Sequence, residues 1–112
     1  MPHPESFGSD GLLRGRVVDR DGRLEVYLAG ELDLASADAL EARLVALAGA
    51  SGGDVTVDCA DLDFLGSTGI RALIGVSDRL AQAGRTLILR NVQGAPRRVL
   101  ELTAVIDRLT VR

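Results

Sequence analysis

With 112 residues and 46% hydrophobic content, the chain is sized for one globular domain around a single core. Its formal charge of −3 gives no electrostatic reason to expect nucleic acid as a direct partner, and its apolar runs are too short to cross a membrane. All 13 basic residues are arginine, which removes every mechanism that needs a lysine: the P-loop, the Schiff base and the serine–lysine dyad.

Histidine and cysteine are just as scarce. The only histidine, His3, lies between prolines near the N-terminus, so a Ser-His-Asp triad lacks its base. One histidine and one cysteine do not make a closed zinc site. No catalytic group, metal or cofactor is therefore expected. A lone Cys59 excludes an internal disulfide and fits a reducing cytoplasm. The opening Met1-Pro2-His3-Pro4-Glu5-Ser6 has neither the basic start nor the apolar stretch of a signal peptide.

Residues 1–11 are rich in Pro, Gly, Ser and acidic side chains, with Phe7 the single large apolar residue, and are expected to form a flexible tail. The domain proper then covers residues 12–112. A first strand is predicted from Leu13 to Asp19, and Asp21-Gly22 forms a tight hairpin turn. The second strand alternates cleanly, with Leu24, Val26 and Leu28 on one face and Glu25 and Tyr27 on the other. It ends at Gly30-Glu31-Leu32-Asp33.

Ser36 is placed as the N-cap of the first helix, with Asp38 in its first turn complementing the dipole. Ala37, Leu40, Leu44, Leu47 and Ala48 mark its buried face, and Gly49 with Ser51-Gly52-Gly53 stops it. The third strand, Val55 to Cys59, runs into an acidic, hydrophobic loop that ends at Gly66-Ser67-Thr68-Gly69. A second helix follows over about Thr68 to Ala83, closed by Gly84. The fourth strand, Thr86 to Arg90, carries Leu87-Ile88-Leu89 in succession, which suits a strand covered on both faces. Pro96 sits in the first turn of a third helix with Val99, Leu100 and Leu102, and Leu109 and Val111 suggest a short closing strand. The order ββαβαβαβ makes an α/β domain. Its mixed, mostly parallel sheet has four to five strands, and right-handed crossovers put the helices mainly on one face.

The junction at Ser67 carries the most chemistry. A hydroxyl at the N-cap position stands beside helix amides that lack backbone partners and beside the positive end of the dipole, where a phosphate is welcome. Asp58, Asp61 and Asp63 make the neighbouring surface acidic. On these residues alone, a plain helix cap is the more ordinary account of Ser67. Asp33 either bonds its own loop or faces a partner, and Arg71 either faces a partner or solvent.

Taken together, Gly30-Glu31-Leu32-Asp33 and Leu62-Asp63-Phe64-Leu65-Gly66-Ser67-Thr68-Gly69-Ile70 resemble the STAS domain, and most closely the free-standing bacterial anti-sigma factor antagonists. The resemblance spans roughly residues 12–112, including the Pro96 helix and the Ile106-to-Val111 tail. It implies that Ser67 is the phosphorylation site for an anti-sigma factor kinase of the GHKL type, with Thr68 the alternative hydroxyl and Gly69 completing the motif. It also implies that the unphosphorylated protein binds the kinase and frees a sigma factor, and that a PP2C-type phosphatase resets the switch. Asp33 matches the aspartate that lies near the phosphosite in this family, and Asp63, Gly66, Thr68, Gly69 and Arg71 make up the rest of the neighbourhood. Gly66 departs from the family pattern, which has aspartate directly before the serine. The other reading is a non-switching STAS scaffold subunit of a signalling assembly or of a lipid-transport ATPase. A hydrolase using Ser67 lacks its base.

Overall fold

Alternation and turn chemistry set the first half of the molecule. The computed structural model describes residues 4–112, so His3 and the first residues of the expected tail lie outside the described residues. Strand β2 (Leu13–Arg20) and strand β3 (Arg23–Leu32) form an antiparallel hairpin closed by Asp21 and Gly22 at φ 57° and 88°, the two left-handed residues that a tight hairpin turn demands. Helix α1 (Ala37–Ala50), strand β4 (Val55–Leu65), helix α2 (Ser67–Gln82), strand β5 (Leu87–Arg90), helix α3 (Gly94–Leu102), a 3-10 turn (Val105–Arg108) and strand β6 (Thr110–Val111) follow.

One correction falls at the N-terminus. Within the expected tail, Glu5–Phe7 forms an additional strand, β1, antiparallel to β2. Phe7 is only 4% exposed and joins the core. Its ring occupies the space over Gly15, where a Cβ would stand 3.0 Å from the ring edge. Arg43 on α1 grips Glu5 through two bonds of 2.9 Å. The sheet accordingly has six strands, one more than the upper expectation, in the spatial order β1-β2-β3-β4-β5-β6. The β3, β4, β5 and β6 pairings are parallel. Each parallel crossover steps one strand in the same direction. Right-handed connection therefore keeps α1, α2 and α3 on one face, where their apolar sides join one core with Leu24, Val26, Val57 and Leu89.

Two further expectations are corrected. Leu87 and Leu89 are buried, but Ile88 on the other face is only half-buried, because no helix covers that side. Ser36 occupies the N-cap position of α1 without a side-chain cap bond. Its Oγ instead accepts from the Asp33 N–H at 3.1 Å and donates to the Glu31 carbonyl at 3.2 Å. The end of α2 matches expectation: Gly84 adopts φ +71° and the Arg85 N–H donates to the Leu80 carbonyl at 2.8 Å.

Candidate functional site

The site begins in the second half of β4. Residues 61–65, which read as a loop, continue the strand. The register shows how. Tyr27 pairs with Asp58 but Ala29 with Asp61, and Gly30 pairs with Leu62 but Glu31 with Phe64. At each step β4 holds one residue more than β3, so it carries two β-bulges. The inward-facing residues therefore run Val57, Cys59, Leu62, Leu65, and the spacing passes from two to three. The doubled positions turn Asp63 and Phe64 out to solvent together, immediately before the chain enters α2.

Gly66 is the N-cap of α2, in an ordinary extended conformation, and Ser67 is the first helical residue. The expectation of a hydroxyl at the N-cap is thus displaced by one position. The first backbone bond of the helix is Ile70 N–H to the Gly66 carbonyl at 3.0 Å, so the amides of Ser67, Thr68 and Gly69 have no intrahelical acceptor. No acidic side chain lies in the first turn to answer the dipole. Ser67 is exposed, Thr68 half-buried and Gly69 buried. A Cβ on Gly69 would stand 2.6 Å from Leu32 Cγ and 3.1 Å from the Leu32 carbonyl oxygen. Only glycine lets this turn press onto the end of β3, and the Gly66 N–H bond to the Leu32 carbonyl at 2.9 Å clamps the same contact.

That contact brings the two sequence motifs together. A Cβ on Gly66 would lie 3.8 Å from Asp33 Cα. Asp33 itself organises its turn: its Oδ1 accepts from the Ala35 N–H at 3.0 Å and its carbonyl from the Ala37 N–H at 2.9 Å. Asp33 stays half-buried beside the junction, and Asp63 is exposed on the adjoining strand. Arg71 is exposed one turn beyond Ser67, on the same side of α2.

Asp58 does not belong to this surface. It is buried in the first half of β4, where its Oδ2 accepts from Arg90 Nε at 3.0 Å and Asn91 Nδ2 at 2.9 Å. The acidic rim is therefore Asp33 and Asp63: Asp58 is buried, and Asp61, paired with Ala29, lines the helix-free face of the sheet with Arg14 and Arg16. Cys59 is likewise out of play, since burial and then the neighbouring Asp58 charge push its thiol up to about 12. Among the described residues no group of three or more His, Cys, Asp and Glu could hold a metal ion.

Two apolar residues at the site escaped the sequence reading. Leu34 is 80% exposed in the Asp33 turn and Phe64 is 45% exposed beside Gly66, its ring 3.2 Å from where a Gly66 Cβ would be. Phe64 sits in a motif, but its outward direction depends on the second bulge, and nothing local to Leu34 marks it.

The family model of the STAS domain matches residues 16–112. The chain is 28% identical over 95 residues to the anti-sigma-B factor antagonist of Bacillus subtilis (strain 168), covering 85% of this chain and 86% of that protein. The crystal structure of an anti-sigma factor antagonist from Mycobacterium paratuberculosis superposes with a TM-score of 0.78 at 27% identity, covering 88% of this chain and 84% of that one. The structure of the anti-sigma factor antagonist SpoIIAA in its unphosphorylated form gives a TM-score of 0.72 at 21% identity, over 88% and 87% of the two chains, and shows the shared fold.

Proposed function

The chain belongs to the STAS domain family, and on that premise we propose that it is an anti-sigma factor antagonist switched by phosphorylation of Ser67. The unphosphorylated protein binds a GHKL-type anti-sigma factor kinase and so releases a sigma factor. Phosphate on Ser67 ends that binding, and a PP2C-type phosphatase restores it. The protein acts by binding, without catalysis of its own. The observation that carries this reading is an exposed Ser67 hydroxyl on the first turn of α2, rimmed by Asp33, Asp63, Leu34 and Phe64.

A phosphate adds about −1.5 to −2 charges and three acceptor oxygens. The free amides of α2 receive part of that charge, and Arg71 one turn on is within reach of the rest, so the domain keeps its fold. Toward a partner the same group adds charge to a junction that already carries Asp33 and Asp63 and the exposed apolar residues Leu34 and Phe64. A surface that buries those side chains unphosphorylated would have to desolvate a dianion afterwards, and it is expelled. The switch is thus steric and electrostatic at the surface.

Incubation with ATP and the cognate anti-sigma kinase tests this directly. Phosphate is expected on Ser67, with Ser67→Ala retaining kinase binding and Ser67→Glu losing it. Absence of phosphate at Ser67 together with equal binding by both variants would overturn the switch and leave the non-switching scaffold, which the glycine at position 66 also suits.

A further inference from the structure

We propose that the helix-free face of the sheet is a second interaction surface, which takes an extended acidic segment of a partner protein along β2. This surface is separate from the Ser67 site and does not depend on its phosphorylation. Arg14, Arg16, Arg20, Arg23, Arg90 and Arg112 line this face, six of the 13 basic residues in a chain whose net charge is −3. No helix reaches it, since all three lie on the opposite side with the core.

Some of these cations are already spoken for. Arg20 pairs with Glu25 at 2.8 Å, and Arg90 with Asp58 at 3.0 Å and Glu25 at 3.6 Å. Arg14 and Arg16 have no acidic partner among the described residues. Arg16 is held over the Tyr27 ring at 5.9 Å, and Arg90 approaches the same ring from β5 at 5.8 Å. The guanidinium of Arg16 is therefore positioned while its hydrogen-bond donors remain free.

The register explains the shape. Arg14 pairs with Ala29, and Ala29 with Asp61. The small Ala29 side chain leaves a cleft of about 300 Å³ between taller neighbours, lined by Arg14, Arg16, Tyr27, Ala29, Asp61 and Pro4. Arg14 and Arg16 alternate on one strand, so they stand about 7 Å apart, the repeat of carboxylates at alternate positions of an extended chain. Arg20 lies on the same face about 20 Å from Arg14 but is paired with Glu25, so the attraction rests on Arg14 and Arg16. Asp61 repels a bare anion at the near end, whereas a polypeptide can offer it a backbone N–H. Bidentate arginine–carboxylate pairs at Arg14 and Arg16 supply the attraction, and salt weakens it.

A labelled ten-residue peptide alternating glutamate and threonine is the probe, with fluorescence anisotropy as the readout. Saturable binding is expected for the wild-type protein, weakened about tenfold or more by Arg14→Glu with Arg16→Glu. The same binding should be unchanged by Arg97→Glu with Arg98→Glu on α3 and by Ser67→Glu. Thermal unfolding monitors the fold, and the milder Arg14→Gln, Arg16→Gln pair repeats the measurement should charge reversal cost stability. No saturable binding, an equal loss in the α3 control, or displacement of the peptide by inorganic phosphate would each overturn the proposal.

Discussion

Two glycines three residues apart do opposite work at the start of α2. Gly69 has no room for a side chain: a Cβ would meet Leu32 Cγ at 2.6 Å and Leu65 Cδ1 at 3.0 Å. A Cβ on Gly66 would meet nothing closer than the Phe64 ring at 3.2 Å, and Phe64 is 45% exposed, so its side chain has room to give way. Gly69→Ala is therefore expected to lower stability by about 1–3 kcal/mol through overpacking. Gly66→Ala should stay within about 0.5 kcal/mol. Denaturant midpoints of the two variants compare them directly, and equal midpoints would mean that α2 does not need its close seat on β3. The motif is legible in the sequence, but which of its glycines is sterically required becomes visible only once Leu32, from a distant strand, is placed against it.

At the scale of elements, the least local feature is the C-terminal end of α1. Its last turn has no basic residue of its own. Arg85, 35 residues beyond the helix's last residue, donates to the Ala48 and Gly53 carbonyls at 2.8 Å each and to Ser51 Oγ at 3.1 Å. It thereby answers a helix carbonyl and fixes the connection into β4. Arg85→Ala should cost about 1–3 kcal/mol, and Arg85→Lys should recover only part of it, because one ammonium cannot span three acceptors as a planar fork does. Urea unfolding of the two variants measures this, and full recovery by lysine would show that charge alone matters. The two bulges of β4 belong to the same scale. Val55, Val57 and Cys59 announce a strand by alternation, and the pattern then lapses at Ala60-Asp61 and again at Asp63-Phe64. A period-two reading stops at the first lapse, since a bulge is defined by the partner strand.

At the scale of the whole molecule, the open face of the sheet carries an ion-paired carboxylate that ties stability to pH. On the open face Glu25 is held below the ordinary glutamate value of 4.5, first by the hydrogen bond from Arg20 and then by that from Tyr27. A carboxyl whose folded pKa is depressed contributes stability above its unfolded pKa and loses it as pH falls through the folded one. Wild-type melting temperature should thus drop as pH falls below about 4.5. Glu25→Gln should start lower at neutral pH, fall less steeply, and converge with wild type in acid. Parallel curves would show that the open-face ion pairs do not contribute.

The sequence by itself determined the element order from β2 onward, the hairpin turn and most inner-face positions, though not those of Ile88 and Leu102, and its resemblance to the family implied that Asp33 lies near Ser67. Turn chemistry and periodicity are properties of neighbouring residues, and right-handed crossover constrains the rest. Tertiary structure alone decided that Glu5–Phe7 is a strand, that Ser67 stands one position inside the helix, and that Asp58 leaves the site for Arg90. It also decided that Leu34 and Phe64 face outward. Each of these depends on register between segments far apart in the chain, and no local pattern encodes which residue of a distant strand will stand opposite.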